Sequence, residues 1–306
     1  MADEYTIARR RNMVKEARLH QRDAADERQY MMNEEYEVYE KQGAPTGAMS
    51  FHYHSFYEII YVLEGEYHCL LENQSYHMKK GDFLLINSNV MHRYDWKESG
   101  EELSSKRIIL WITPKMLEEL SDGKMDLEAC FLKKDTCAYH FPVYYEEQLR
   151  GYLLKVAMCS AMDVELPGAK QVLDRGYLTL FFVYLNTLCN KNEYLFAANE
   201  EATHPVVEAV SAYILAHMEE GITVDDLAAQ VHMSKYHFLR KFKELTGMTV
   251  HTYITNKRLI SACQALREGC GITEACQRSG FTDYSSFLRN FKNTFGVSPG
   301  KYKDFY

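Results

Sequence analysis

One ten-residue phrase occurs twice in this chain. Phe238-Leu-Arg-Lys-Phe-Lys-Glu-Leu-Thr-Gly247 returns 49 residues later as Phe287-Leu-Arg-Asn-Phe-Lys-Asn-Thr-Phe-Gly296, and each copy is followed, six residues on, by a tyrosine, Tyr253 or Tyr302. A phrase repeated at a fixed interval is one supersecondary unit built twice. Each copy reads as a short helix (Thr223 to Val231; Thr273 to Ser279), a tight turn, and a longer helix opening at a capping residue, Ser234 or Asp283. That is helix-turn-helix spacing. Within the longer helices, Phe238/Phe242/Leu245 and Phe287/Phe291 recur at helical spacing and are expected to face a core. Left outward are Lys235, Tyr236, Leu239, Arg240 and Lys243 in the first copy, and Tyr284, Ser285, Leu288, Arg289 and Lys292 in the second. Arg, Tyr and Ser on such a face can reach base edges in a major groove, while lysines at the rim meet phosphates. A merely solvated basic face explains one such helix, but explains the duplicate poorly. Thr249 to Glu268 reads as one connecting helix of about 20 residues, ~30 Å long, close to the ~34 Å between successive major-groove faces.

Charge supports the same partner. The net charge is −8, yet residues 231–306 hold 12 basic against 5 acidic residues, whereas residues 205–230 hold no basic residue against 5 acidic ones. A basic end on an acidic protein points to a polyanion. The run Gly280-Phe-Thr-Asp-Tyr-Ser-Ser-Phe-Leu-Arg-Asn-Phe-Lys-Asn-Thr-Phe-Gly-Val-Ser-Pro-Gly-Lys-Tyr302 resembles the AraC family of bacterial transcriptional regulators. The resemblance covers about residues 205 to 306. It implies two helix-turn-helix subdomains joined by a linker helix, acting on double-stranded promoter DNA, with RNA polymerase as a further partner. Ser286 and Leu288 stand where the family often has an aromatic and a small polar residue, which leaves base preference open.

From Met49 to Ile112 the pattern turns to short apolar runs such as Glu58-Ile-Ile-Tyr-Val-Leu63 and Arg107-Ile-Ile-Leu-Trp-Ile112, punctuated by Gly65, Asn73 and Gly81. Short, regularly spaced strands imply a barrel or sandwich. Gly47-x4-His52-x-His54-x3-Glu58-x6-Gly65 resembles the first cupin motif, and Gly81 to His92 resembles part of the second. Asn87, Asn89 and Trp96 replace the second motif's Pro, Gly and final Asn. Strand parity puts His52, His54 and Glu58 on one face, with Ile60 and Val62 continuing the row, and His92 within reach. These four groups either hold a divalent metal ion or line a sensory pocket together with Tyr61. Six tyrosines beside the strands, Tyr53, Tyr57, Tyr61, Tyr67, Tyr76 and Tyr94, suit a sugar or related metabolite as effector. A metal-dependent cupin enzyme is the alternative function, but the attached DNA-binding unit favours a sensor with no required cofactor.

The expected architecture is therefore an α+β multidomain chain, with an N-terminal cupin-like β-barrel flanked by helices and a C-terminal all-α double helix-turn-helix. Residues 1–45 are expected as a partly helical extension, 46–140 as the barrel, 141–198 as a helical dimerisation segment and 199–306 as the DNA-binding domain. The apolar stripes between Leu149 and Leu188 exceed what one barrel flank must cover, and predict a homodimer. The stretch Leu178 to Leu188 is broken by Asn186 and falls short of a membrane span, and no signal peptide is evident at the start, so a cytoplasmic protein is expected. Eight cysteines without a CxxC pair read as reduced thiols.

Overall fold

The computed structural model describes residues 21–22, 31–43, 51–71, 74–95, 105–133, 138–161, 168–191, 194, 205–295 and 297–304. The N-terminal unit is an eight-stranded sheet, mostly antiparallel, wrapped by helices. Its strands are β1 (Gln21–Arg22), β2 (Tyr36–Gln42), β3 (Tyr57–Leu71), β4 (Gln74–Lys79), β5 (Asp82–Ile86), β6 (His92–Asp95), β7 (Ser105–Ile112) and β8 (Ala138–His140). The spatial order is β1-β2-β7-β3-β5-β8, and β4 and β6 pair with β3 outside that path. Strand β3 is long enough to serve two neighbourhoods. Its first half pairs with β5 and β7, and its second half with β4 and β6. Among the described residues the sheet thus curls over itself in a cupin-like manner without closing into the expected barrel.

The period-2 pattern of β3 produces two cores. Tyr57, Ile59 and Tyr61 face outward from the curl onto α1 (Pro114–Ser121), α2 (Val143–Ala161) and α3 (Ala169–Cys189), where Leu117, Leu149, Leu153, Phe181, Phe182 and Leu185 complete a layer. Ile60 and Val62 face the concave interior with Tyr67, Cys69, Tyr76, Met78, Tyr94, Ile109 and Trp111. A bulge between Val62 and Glu64 shifts the register, so even-numbered residues point inward before it and odd-numbered residues after it. The sheet begins earlier than the sequence boundary at residue 46. Strand β2 pairs with β7 along its whole length, so this part of the expected helical extension is strand, and alternating charge had masked its buried side.

The C-terminal unit contains α4 (Pro205–Ala216), α5 (Val224–Gln230), α6 (Lys235–Thr246), α7 (Val250–Arg267), α8 (Ile272–Arg278), α9 (Tyr284–Phe295) and α10 (Pro299–Asp304). Thr223 caps α5 through a reciprocal box with Asp226, and Asp283 caps α9 by accepting from the Ser285 and Ser286 amides at 3.3 and 2.8 Å. At Ser234 the backbone makes the turn, but the side chain makes no capping bond. The connecting helix α7 has 18 residues, ~27 Å, slightly shorter than the sequence suggests because Thr249 and Glu268 are its caps. Of the interdomain linker expected before Pro205, residues 195–204 lie outside the described residues, as do Cys137 and Trp96. The other seven cysteines are free, and burial pushes the Cys189 and Cys263 thiols up to about 12.

Candidate nucleic-acid interface and sensor site

The repeat phrase becomes two copies of one aromatic core. In the first, Phe238 meets Phe242 with ring centroids 5.7 Å apart, and Phe242 meets Tyr253 at 5.2 Å. In the second, Phe287 meets Phe291 at 5.6 Å, and Phe291 meets Tyr302 at 5.4 Å. One helix serves both cores, since α7 gives Tyr253 and Ile254 to the first and Leu259, Cys263 and Leu266 to the second. Burying the phenylalanines fixes what faces out. Tyr236, Arg240 and Lys243 form an exposed stripe on α6, and Ser285, Arg289 and Lys292 form the equivalent stripe on α9. Tyr236 is 86% exposed, a large ring held in solvent and left uncovered by the described residues.

Leu239 and Leu288 are half-buried, packed against their own subdomain cores, so they border the stripes rather than lead them. Tyr284 is exposed at the start of α9, and Lys235 is exposed at the start of α6 but bound to Asp225 at 2.8 Å. His237, exposed beside Tyr236, was not singled out in the sequence because a lone histidine carries no periodic signal. The two subdomains are locked together by Gly280, which sits against the Met218 carbonyl, and by Arg258, which donates to Glu220 O at 3.0 Å.

In the sensor, His54, Glu58 and His92 converge, being 4%, 2% and 0% exposed. Their ligand atoms lie within 4.8 Å of one another, and among the described residues they are the one such group of His, Cys, Asp and Glu. His54 Nε2 is 2.9 Å from Glu58 Oε2. His92 Nε2 is 3.3 Å from the same oxygen without the alignment of a hydrogen bond. Tyr94 donates to Glu58 Oε1 at 3.0 Å. Burial alone would raise the Glu58 carboxyl, but the two imidazoles outweigh it and hold it well below the usual carboxylate range. Burial likewise disfavours the imidazolium of His54 and lowers its pKa despite Glu58.

His52 stands apart from this group. It pairs with His92 through the backbone and lays its ring against His92, with centroids 4.1 Å apart. The continuous strand that parity assumed is broken here, because residues 53–56 lie outside any strand, with a bend at Ser55 and Phe56, before β3 begins. Tyr61 does not belong to the pocket. It lies on the opposite face of β3, and its hydroxyl donates to Glu146 of α2. The sequence reading also missed Arg107, which is 1% exposed and lies over the rings of Tyr67 and Tyr94 at 5.1 and 5.6 Å. Its position in an otherwise apolar strand was the available signal.

Comparison with known proteins agrees with both halves. The AraC-like ligand binding domain family matches residues 36–110, and the Helix-turn-helix domain family matches residues 227–304. The probable transcription factor PqrA of Proteus vulgaris is 34% identical over 86 residues, covering 28% of this chain and 70% of PqrA. The chain belongs to the AraC family of transcriptional regulators. The HTH-type transcriptional activator RhaS of Escherichia fergusonii is 25% identical over 263 residues, 83% of this chain and 87% of RhaS. An uncharacterized HTH-type transcriptional regulator of Bacillus subtilis, YbfI, is 24% identical over 234 residues, 76% of this chain and 79% of its own. As an AraC-type regulator the chain pairs a DNA-binding unit with a small-molecule-binding domain. No helix among the described residues is long and apolar enough to cross a membrane.

Proposed function

We propose that this regulator acts in the cytoplasm as a homodimer, reads promoter DNA with α6 and α9 in adjacent major grooves, and answers to a sugar or related metabolite held by the sensor domain. One observation carries the reading. Two equivalent outward stripes, each led by an arginine with a lysine three residues on, are held at the two ends of a ~27 Å helix by matching aromatic cores. Arg240 and Arg289 take guanine edges, Tyr236 and Ser285 take neighbouring base or sugar groups, and Lys243 and Lys292 take phosphates. Contact with RNA polymerase belongs to the same reading, on the strength of family resemblance.

Dimerisation is supported by α3. Leu173, Leu180 and Tyr184 are exposed at helical spacing on the side away from the sheet, while Leu178, Phe181, Phe182 and Leu185 fill the core. Tyr152 of α2 extends that outer surface toward Tyr184, with centroids 5.7 Å apart. The buried carboxylate of Glu58, the guanidinium of Arg107 and the hydroxyls of Tyr67 and Tyr94, set in an otherwise apolar interior, favour a hydroxylated, partly charged effector. Selecting bound sites from fragmented genomic DNA, then measuring affinity against salt on the recovered duplex, tests the proposal. Sequence-specific binding that weakens steeply with salt is expected. Absence of salt-sensitive duplex binding by the full chain refutes it.

A further inference from the structure

A cavity of about 430 Å³ lies on the helical face of the sensor sheet, opposite the concave interior that holds Glu58. That volume falls within the ~300–1,000 Å³ of small-molecule sites. Every residue lining it belongs to the sensor: residues 33–36 in the bend before β2, Met116 of α1, and the opening turns of α3 from Lys170 to Arg175. Bonds within the chain hold these walls apart from any occupant. Glu37 accepts from the Met32 and Asn33 amides and fixes the bend. Thr113 donates to Glu35 O with its amide at 3.0 Å and its hydroxyl at 3.2 Å. Arg175 lies 2.6 Å from Glu119 Oε2 and 3.6 Å from Glu35 Oε1, and so ties α3 to α1 and to the bend.

Asp174 stands among these lining residues and is only 3% exposed. Tyr36 donates to its Oδ2 at 2.5 Å, whereas its Oδ1 is buried and has no hydrogen-bond partner among the described residues. The Tyr36 hydroxyl and the Lys170 ammonium favour the charged form, but burial outweighs both and raises the carboxyl. A buried carboxylate oxygen without a donor is costly, and a charged donor relieves that cost best. Asp174 therefore asks for an N–H or O–H group from outside the chain.

The surrounding charge decides which. Glu34 and Glu35 line the same cavity, and the nearby Arg175 is already shared between Glu35 and Glu119. An incoming anion would meet this acidic excess. The start of α3 at Gly168, which lacks a side-chain cap, favours an anion at the helix tip, but that influence fades within one turn and Asp174 lies beyond it. A neutral polyol can donate to Oδ1 yet gains nothing from the two glutamates. A cation gains from all three acids, and Met116 and the Tyr36 ring give its carbon skeleton apolar wall to lie on.

We propose that this cavity binds a small organic ammonium compound, with its N–H groups donating to Asp174 Oδ1 and its charge facing Glu34 and Glu35. The inference goes beyond the sugar-sensing reading, since it needs neither the concave interior nor the DNA-binding unit.

The test titrates untagged full-length protein by calorimetry near neutral pH with ethanolamine, putrescine and agmatine, using the diol that matches putrescine and inorganic phosphate as controls. At least one amine should saturate a single site per chain at millimolar concentration or below, and neither control should bind. Saturation by none of the amines, or equal binding by the diol or phosphate, overturns the proposal. Exposed glutamates also attract amines, so the titration is repeated at ~1 M salt, where the Debye length is ~3 Å. A loss of less than about tenfold is expected at a buried carboxylate, and complete loss assigns the binding to the surface and overturns the site. Asp174→Asn keeps the side-chain shape and an oxygen for the Tyr36 hydroxyl, so it should fold with unchanged circular dichroism and bind the amine at least tenfold more weakly. Wild-type affinity in the folded variant refutes the role of Asp174. Should the variant misfold, hydrogen exchange on the wild type decides. The amine should protect peptides covering residues 33–37 and 170–175 and leave the peptide covering His54 and Glu58 unchanged, and protection only outside residues 33–37 and 170–175 overturns the location.

Discussion

Replacing Gly280 with alanine tests how the two helix-turn-helix subdomains are held in register. Gly280 lies in the turn between α8 and α9 with φ +77°, in the left-handed region that penalises a Cβ by ~1–2 kcal/mol. An added Cβ would lie 1.9 Å from Met218 O and 2.9 Å from Met218 C, where non-bonded contacts need at least about 3 Å. The obstacle is backbone just beyond α4, so relief requires moving the α8–α9 turn or the α4–α5 connection by more than ~1 Å, and such strain costs a further ~1–3 kcal/mol. Together these give ~2–5 kcal/mol, or a melting midpoint lower by roughly 10 °C or more for a domain of about this size. Gly271 is the control, because its φ of −67° suits any residue and nothing lies within 4 Å of its would-be Cβ. Thermal unfolding of the full chain followed by circular dichroism supplies the first readout, and fluorescence anisotropy on a selected operator, well below the melting range, supplies the second. Specific affinity should fall in Gly280→Ala even when the protein is folded, because α9 shifts relative to α6. A Gly280→Ala protein that melts within about 2 °C of wild type refutes the steric argument.

Arg240→Ala and Arg289→Ala should each cost ~1–3 kcal/mol on specific DNA, whereas Lys243→Ala and Lys292→Ala should weaken all sequences alike and reduce the salt slope by about 1 each, as checked by anisotropy across a salt series. Leu180→Glu or Tyr184→Glu on the outer face of α3 should convert dimer to monomer in sedimentation velocity while leaving circular dichroism unchanged, since neither side chain belongs to the core. Asn186→Ala should lower stability by ~1–3 kcal/mol in denaturant unfolding, because Asn186 is buried, accepts from the Cys130 amide at 2.8 Å and donates to Leu127 O at 2.9 Å, so its removal takes that partner from the Cys130 amide and leaves Leu127 O only the weak Cys130 thiol donor.

The DNA-binding unit was legible because its signal is local. Phenylalanines at positions 238, 242, 287 and 291 must turn inward, and that alone carries Tyr236, Arg240, Lys243, Ser285, Arg289 and Lys292 outward, whereas Leu239 and Leu288, read as outward too, pack partly onto the cores. The sensor was harder to read because its signals depend on pairing partners. Tyr61 looked like a pocket residue by composition, but parity with Tyr57 and Ile59 carries it to the helical face. Asn89 looked like a loss where the cupin pattern has glycine. The structure holds Asn89 at φ 64°, a left-handed conformation that asparagine tolerates better than most residues, so the turn survives the substitution. Phe51, Tyr53 and Met91 gave no hint of a domain contact, since an apolar residue that packs on another unit is indistinguishable in sequence from one that packs on its own sheet.

The bulge in β3 explains how one strand can serve so many partners. Before it, even-numbered Glu58, Ile60 and Val62 face the interior, and odd-numbered Tyr57, Ile59 and Tyr61 anchor α1, α2 and α3. Had the alternation continued unbroken, His68 and Leu70 would enter the interior, and Tyr67 and Cys69 would leave it. The extra residue between Val62 and Glu64 reverses the parity, so Tyr67 lies beneath Arg107 and within 5.9 Å of the Tyr94 ring. His68 is turned outward to stack on His77 at 4.3 Å. Tyr94 reaches Glu58 with its hydroxyl and Arg107 with its ring, and thereby joins the two halves of β3 across the curl. Without the reversal, Tyr67 would leave the interior and the buried guanidinium of Arg107 would lose the ring that packs 5.1 Å from it.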